Sequence, residues 1–246
     1  RHYVNGGDIY RAGPRLLEYG MQASALLAVA IGLERVRGRS GSIVHNIGAV
    51  VVAGLALCVI VFGLLVGENP LFTRVNVGGA VINLLLVAYG IPAVLAITLA
   101  LVARETRPMR YRAVAAAASV VLTLTYLSLQ VRRFFQGPVL HIDGLPGESG
   151  FTDAELWAYS AVWLAFGVVL LLVGIVLRSL PARLASAAVI FLTVLKVFLF
   201  DLAGVGGVWR SLSFIGLGLV LVGIGWLYQR LLFPPRPAQP AAQAAT

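Results

Sequence analysis

The sequence predicts an all-α integral membrane protein with about seven transmembrane helices. Of the 246 residues, 59% are hydrophobic and 12% are charged, whereas soluble domains carry about 25% charged residues. The hydrophobic residues form long continuous runs instead of alternating with polar residues. Continuous runs indicate membrane-spanning helices and argue against a transmembrane barrel, whose strands alternate.

Seven apolar runs are long enough to cross a hydrocarbon core about 30 Å thick, which takes about 20 helical residues. They are residues 16–33, 43–66, 77–102, 111–131, 156–177, 182–202 and 212–232. Pro92 lies inside the third run, where a proline removes a backbone hydrogen bond and is expected to kink the helix. Residues 234–246 are rich in proline and alanine and have no apolar face, so they are predicted to be a disordered tail.

Arginines between the runs predict the orientation, because cytoplasmic loops carry an excess of positive charge. One side carries eleven arginines, and the other carries seven together with most of the acidic residues. The richer side is therefore predicted to be cytoplasmic, which places the C-terminus there. The eleven arginines are Arg35, Arg37, Arg39, Arg104, Arg107, Arg110, Arg112, Arg178, Arg183, Arg230 and Arg236.

A short motif occurs twice and predicts an internal repeat. Residues 1–7 (RHYVNGG) and 132–138 (RRFFQGP) share a basic residue, an aromatic residue, an amide and a glycine at matching positions. Four spans separate the copies, so both motifs face the same side and the repeat of four-helix units is parallel. The first copy lacks its first span and is expected to be truncated. The predicted division is 1–131 (the truncated first repeat plus the first helix of the second), 132–233 (the remainder of the second) and 234–246 (the tail).

Several stretches of the second half resemble a known family. They are residues 193–202 (TVLKVFLFDL), 209–218 (WRSLSFIGLG), 228–230 (YQR), the RRFFQG motif from Arg132, and 155–159 (ELWAY). Together they resemble the C-terminal part of a large bacterial membrane protein family, domain of unknown function 2339. The resemblance is strong from Leu129 to Leu232 and looser before it. It implies a multi-pass protein of the bacterial inner membrane and no established activity.

The sixth run contains the first candidate site, an intramembrane pair of charges. Lys196, the only lysine, lies well inside the run, and a charge at such depth costs a few kcal/mol unless it is paired. Asp201 follows five residues later, about 140° around an ideal α-helix, so the two are expected on different faces. Both a structural ion pair between helices and a ligand or proton site are compatible with this pattern.

The second candidate site is the long exoplasmic loop, predicted to run from residue 132 to 155. Arginines and aromatic residues there are typical of an interfacial belt. They would also suit an anionic or glycan-bearing ligand, because arginine binds phosphate in a bidentate manner. The candidate residues are Arg132, Arg133, Phe134, Glu155 and Arg210.

Catalytic and metal-binding residues are not predicted. His2, His45 and His141 are far apart and lack metal-ligand spacing, and no nucleophile with a base and an acid is apparent. Cys58 is predicted to be a small buried side chain. No cofactor is expected. The net charge of +9 is expected to favour contact with anionic lipid headgroups and not with nucleic acid, because the arginines flank the apolar runs.

Two functions remain open on this basis. One is a non-enzymatic module that assembles with or scaffolds other membrane or envelope components. The alternative is a transporter or a lipid- or glycan-handling module with its path between the repeats. Membrane lipids and protein partners in the membrane are expected in both cases. An enzyme acting on a lipid-linked substrate is the third choice, since no catalytic set is visible.

Overall fold

The computed structural model describes residues 15–40, 42–73, 75–80, 82–142, 152–201 and 208–232. Within these ranges the chain is helical, joined by short turns and one isolated antiparallel bridge between Asn76 and Val139. The first copy of the repeated motif and the C-terminal tail lie outside the described residues. The chain divides into two compact units, Arg1–Val162 and Trp163–Thr246.

The first unit contains four helices and the start of a fifth. They are α1 (Arg15–Ser40), α2 (Ile43–Cys58, continued by a π-helix, Val59–Gly67), α3 (Ile91–Val102, preceded by a π-helix, Leu86–Gly90), α4 (Met109–Gln136) and α5 (Asp153–Val176). Helix α1 packs against α2 and α3, and α3 packs against α4. Because the connections are short, successive helices run in opposite directions and their ends meet at two opposite faces.

Apolar side chains pack between these helices. Leu27, Leu64, Leu99 and Leu122, one from each of the four helices, are almost completely buried in one continuous cluster. Large apolar side chains also cover the outside of the helices, for example Phe62, which is 71% exposed. A helix that is apolar all round is what a lipid environment requires. The integral membrane fold class is therefore confirmed.

Five helices are long and apolar enough to cross a membrane, namely Arg15–Gly38, Ile43–Gly67, Met109–Gln136, Asp153–Val176 and Leu180–Phe200. Two shorter apolar helices, Leu86–Val102 and Phe214–Trp226, correspond to the third and seventh predicted runs. The last helix is longer as a backbone element, α7 (Val208–Leu232).

The third run was predicted to be helical from Val77, and this boundary is wrong. The chain is irregular at residues 77–80, 82 and 83: the Val77 amide donates to the Pro138 carbonyl, and Gly78 has a φ of +79°. The amides of Val77 and Leu84 therefore do not donate to the carbonyl four residues earlier, as they would in an α-helix. Farther along, Pro92 stands in the first turn of α3, directly after the π-helix. Proline has no amide hydrogen to donate to the preceding turn, and this interrupts the helical hydrogen bonds. The change from π to α geometry therefore lies at the position where the kink was predicted.

The second unit contains the rest of α5, helix α6 (Leu180–Lys196, continued by a π-helix, Val197–Asp201) and α7. The Ser186 hydroxyl on α6 donates to the Gly167 carbonyl on α5 at 2.8 Å. A Cβ atom at Gly167 would stand 2.6 Å from the Ile190 side chain. Glycine at this position therefore allows α5 and α6 to approach closely, as small residues do in membranes.

Candidate functional site: two buried ionic clusters

The first cluster is built at the C-terminal end of α4, by residues of the second copy of the motif. Arg132 lies in the last turns of α4 and is 3% exposed. Its guanidinium donates to the Leu140 carbonyl at 2.7 Å, to Glu155 Oε1 at 3.2 Å and to the His141 carbonyl at 3.4 Å. The buried arginine thus ties the helix end to the segment that follows it and to the start of α5.

Glu155 is the acceptor at the centre of this cluster and is fully buried. Besides Arg132, the Gln136 amide donates to Oε2 at 2.8 Å and the Tyr159 hydroxyl to Oε1 at 3.0 Å. Its backbone amide donates to the Thr152 hydroxyl at 3.2 Å, as in a capping box. Both carboxylate oxygens therefore have donors within the protein. We call Arg132, Gln136, Glu155 and Tyr159 the Glu155 cluster.

Helical spacing explains the repeated motif. Arg132 and Gln136 are four residues apart, so they share a face of α4 and both reach Glu155. Gly137 follows with a φ of +82° and ends the helix, a conformation that glycine adopts without the steric cost of a Cβ. The motif was predicted to be part of a loop, but its first five residues are helical and the loop begins only at Gly137.

Arg133 and Phe134 point elsewhere. The Arg133 guanidinium donates to the Gly78 carbonyl at 2.6 and 3.0 Å. Phe134 is 82% exposed and stacks edge-on against Phe135, with ring centres 5.3 Å apart. Of the five loop residues proposed from the sequence, the structure brings together Arg132 and Glu155. The side chain of Arg210 lies outside the described residues.

The second cluster lies at the opposite end of α4 and was missed by the sequence reasoning. Glu34, near the end of α1, is 2% exposed. Arg107 donates through Nε to Glu34 Oε1 at 2.7 Å and through its other nitrogens to the Asn46 side chain and carbonyl at 2.6 and 2.9 Å. Its guanidinium carbon also lies 5.3 Å from the centre of the Tyr111 ring. We call Glu34, Arg37, Asn46, Arg107 and Tyr111 the Glu34 cluster.

Arg37 completes this cluster with looser geometry. Its Nε lies 3.7 Å from Glu34 Oε2, and its terminal nitrogen donates to the Thr106 carbonyl at 2.7 Å. Glu34 Oε2, Arg37 Nε and the Tyr111 hydroxyl are buried and make no hydrogen bond with any residue that the structure describes. One signal was available: Glu34 directly follows an apolar run and stands among several arginines.

The two clusters have the same physical role at opposite ends of the unit. The Glu34 cluster joins the α1–α2 connection to the α3–α4 connection, and the Glu155 cluster joins α4 to α5. Between them α4 spans 28 residues, about 40 Å at 1.5 Å per residue. In both clusters a buried carboxylate is paired with an arginine, so they resemble structural ion pairs more than open ligand sites.

The charged pair in the sixth run is only partly described. Lys196 is half-buried at the end of α6 and interacts with a group of the protein, while the side chain of Asp201 lies outside the described residues. The backbone between them is π-helical, and in a π-helix hydrogen bonds join residues five apart. The expectation that they lie on different faces assumed α geometry, which this segment does not have.

Two further observations concern Cys58 and possible metal ligands. Cys58, predicted to be buried, is exposed on the surface of α2. Among the described residues, no group of three histidine, cysteine, aspartate or glutamate side chains is placed to hold a metal ion.

The comparisons with known proteins agree with this architecture. The family described as "Predicted membrane protein (DUF2339)" matches residues 1–231. No curated protein and no solved structure matches the chain significantly. Since the family match covers nearly the whole sequence, including both ionic clusters, the chain belongs to the DUF2339 family of membrane proteins.

Proposed function

We propose that the chain is a non-enzymatic multi-span module of the bacterial inner membrane that assembles with or scaffolds other membrane or envelope components. The observation that carries this proposal is the environment of Glu155: the carboxylate is fully buried, and both of its oxygens already accept hydrogen bonds from protein donors, namely Arg132, Gln136 and Tyr159. A transport or catalytic carboxylate needs access to its ligand or proton.

The interior of the first unit supports the same conclusion. Hydroxyl side chains within its helices donate to carbonyls four residues earlier in their own helix, as do Ser24, Thr98 and Thr123. Such local bonds stabilise polar groups in an apolar environment without lining a path. The middle of this unit is therefore apolar, with charge concentrated at its two ends. This distribution favours a scaffold over a transporter.

The orientation and the repeat belong to the same proposal. We place the arginine-rich ends of the helices, including Arg35, Arg107 and Arg112, in the cytoplasm, together with the C-terminus. The spacing of Arg132, Gln136 and Gly137 recurs in the sequence at Arg1, Asn5 and Gly6. This recurrence supports a tandem parallel repeat.

A transporter or lipid-handling module is the second candidate, favoured by the charged residues Lys196 and Asp201 in the sixth helix. Charges inside a span mark ion and substrate pathways in many membrane proteins. In this alternative Lys196 binds an anionic substrate or relays protons.

One experiment separates the two candidates. The tagged chain and its Lys196→Met variant are solubilised from membranes in mild detergent and examined by size exclusion, and both are reconstituted into vesicles for ion-gradient measurements. A scaffold elutes with other membrane proteins in fixed ratio, keeps them in the Lys196→Met variant, and dissipates no gradient. Elution of the chain alone, together with a flux that Lys196→Met abolishes, contradicts the scaffold and establishes the transporter.

A further inference from the structure

A cavity of about 280 Å³ opens between the four helices of the first unit. Its walls are almost entirely aliphatic, with Leu27, Leu57, Ile60 and Leu99 among them. An apolar cavity does not hold ordered water, because water there lacks hydrogen-bond partners. In a chain that spans a membrane, the apolar material available to fill such a space is a lipid acyl chain.

The shape of the cavity fits an acyl chain that runs along the helices. On α4 the lining residues extend from Arg110 to Ala118, and on α2 they extend from Val50 to Ile60 across the start of the π-helix. At 1.5 Å per residue these stretches are about 12 and 15 Å long. The cavity therefore reaches from the helix ends well into the apolar part of the unit.

The polar groups of the cavity lie at one end only. Arg110 and Tyr111, both in the first turn of α4, line it there. Among the described residues the Arg110 side chain has no ion pair or hydrogen bond, and the same is true of the side chains of its neighbours Arg104 and Arg112. Of the two carboxylates at this end, Glu34 is already engaged by Arg37 and Arg107, and the exposed Glu105 forms no ion pair with any described residue.

This end of α4 has an excess of positive charge that the described residues do not neutralise. The first turn of α4 contains no acidic residue, and its N-cap, Pro108, offers no side-chain hydrogen bond to the free backbone amides. The N-terminus of a helix favours anions and disfavours cations. An arginine cluster at that position is stabilised by a bound anion.

We propose that this cavity is a binding site for an anionic phospholipid, with one acyl chain between α1, α2, α3 and α4 and the phosphate at Arg110. Anionic lipids fit both features at once, since their chain is apolar and their headgroup carries the negative charge. The proposal is independent of the scaffold function, because a lipid site can exist in a scaffold or in a transporter.

The test uses the delipidated full chain in detergent, titrated with phosphatidylglycerol or phosphatidylcholine while native mass spectrometry counts bound lipid. We expect one tightly held phosphatidylglycerol and at least tenfold weaker binding of phosphatidylcholine. Arg110→Gln is expected to weaken phosphatidylglycerol binding about tenfold, which is the order of one charge-assisted contact. Arg35→Gln is the matched control and should keep the affinity, because the Arg35 side chain also has no partner in the described part of the chain but does not line the cavity.

A second pair of variants tests the cavity itself. Gly54 lines the cavity and a Cβ there meets no atom within 4 Å, whereas Gly32 has the same open surroundings but does not line it. Gly54→Leu is expected to abolish the bound lipid, and Gly32→Leu to retain it. If Gly54→Leu does not fold, Val50→Trp replaces it, because Val50 also lines the cavity, and it is likewise expected to abolish lipid binding.

Four results overturn the proposal. The first is equal binding of phosphatidylcholine, and the second is full lipid occupancy in a folded Gly54→Leu or Val50→Trp variant. The third is displacement of the lipid by millimolar glycerol 3-phosphate, which would mean that the site recognises free phosphate. The fourth is loss of lipid binding in the Arg35→Gln or Gly32→Leu control. The losses seen in the cavity variants would then be due to overall charge or to stability and not to the cavity.

Discussion

Individual residues in this protein show how a charge is tolerated in a largely apolar chain. Arg132 and Glu155 are both buried, and each compensates the charge of the other within a set of further hydrogen bonds. Desolvation makes such a pair expensive, but breaking it by removing one member costs more, since the remaining charge is left unpaired. The adjacent Arg133 is only partly buried and donates to a backbone carbonyl, so the two neighbouring arginines are expected to contribute very differently to stability.

This difference gives a direct prediction. Arg132→Met should destabilise the protein by about 3–5 kcal/mol, because it leaves Glu155 buried without a counter-charge. Arg133→Met, the matched control, should cost about 1 kcal/mol, the value of a typical hydrogen bond. Denaturant unfolding in detergent, followed by circular dichroism, measures both.

The double variant Arg132→Met/Glu155→Met tests the cause of that loss. Replacing both charges by apolar side chains should recover much of the stability, since no buried charge remains. Equal losses for the Arg132 and Arg133 variants would contradict the assignment of Arg132 as the buried partner.

At the scale of elements, glycines decide how closely the helices approach. A Cβ atom at Gly20 on α1 would stand 2.5 Å from the Ala88 Cα atom in the π-helix that precedes α3. At Gly63 it would stand 2.7 Å from the Tyr19 ring. Gly63 and Gly67 are four residues apart, a spacing at which small residues let membrane helices pack closely. A close contact with another helix is seen at Gly63, whereas Gly67 is crowded only by its own helix.

Gly20→Ala therefore should separate α1 from the start of the third helical segment. We expect a loss of about 1–3 kcal/mol, the usual cost of forcing a methyl group into a packed contact. Gly32→Ala lies on the same helix in open surroundings and should be neutral or slightly stabilising, because alanine favours the helix over glycine. Thermal unfolding of the two variants measures this difference, and similar melting temperatures would show that α1 can shift without cost.

At the scale of the whole molecule, helix direction and charge predict how the protein sits in the membrane. The connections at Thr106 and at Val139 lie at opposite ends of α4. Arginine is concentrated at the end near Thr106, and the positive-inside rule predicts that this end faces the cytoplasm. The proposed repeat predicts in addition that residue 6 faces the same side as residue 139.

Cysteine labelling tests this arrangement. In a background with the exposed Cys58 replaced by alanine, cysteines are placed singly at Gly6, Val139 and Thr106. An impermeant thiol reagent added to spheroplasts should label the first two and spare the third. Labelling at Thr106 alone would invert the orientation, and opposite labelling at Gly6 and Val139 would reject the parallel repeat.

Much of the fold follows from the sequence. The bilayer requires long apolar helices, and their length and composition are local properties that can be read along the chain. Hydropathy thus located all seven helical segments, and the family match agrees with the resemblance seen at residues such as Lys196 and Arg132. The boundary at Val77 failed because a contact with Pro138, far along the chain, competes with the helix.

The sequence by itself determined that this protein is a bundle of membrane helices with arginine concentrated at one end. Only the tertiary structure decided which charges meet. Glu34 and Arg107 are 73 residues apart, and Arg132 and Glu155 are 23 apart. Their pairing depends on how the helices pack, and so does the cavity that places Arg110 at the end of an apolar space. Hydropathy acts on each segment separately, whereas an ion pair or a cavity exists only where several segments are brought together.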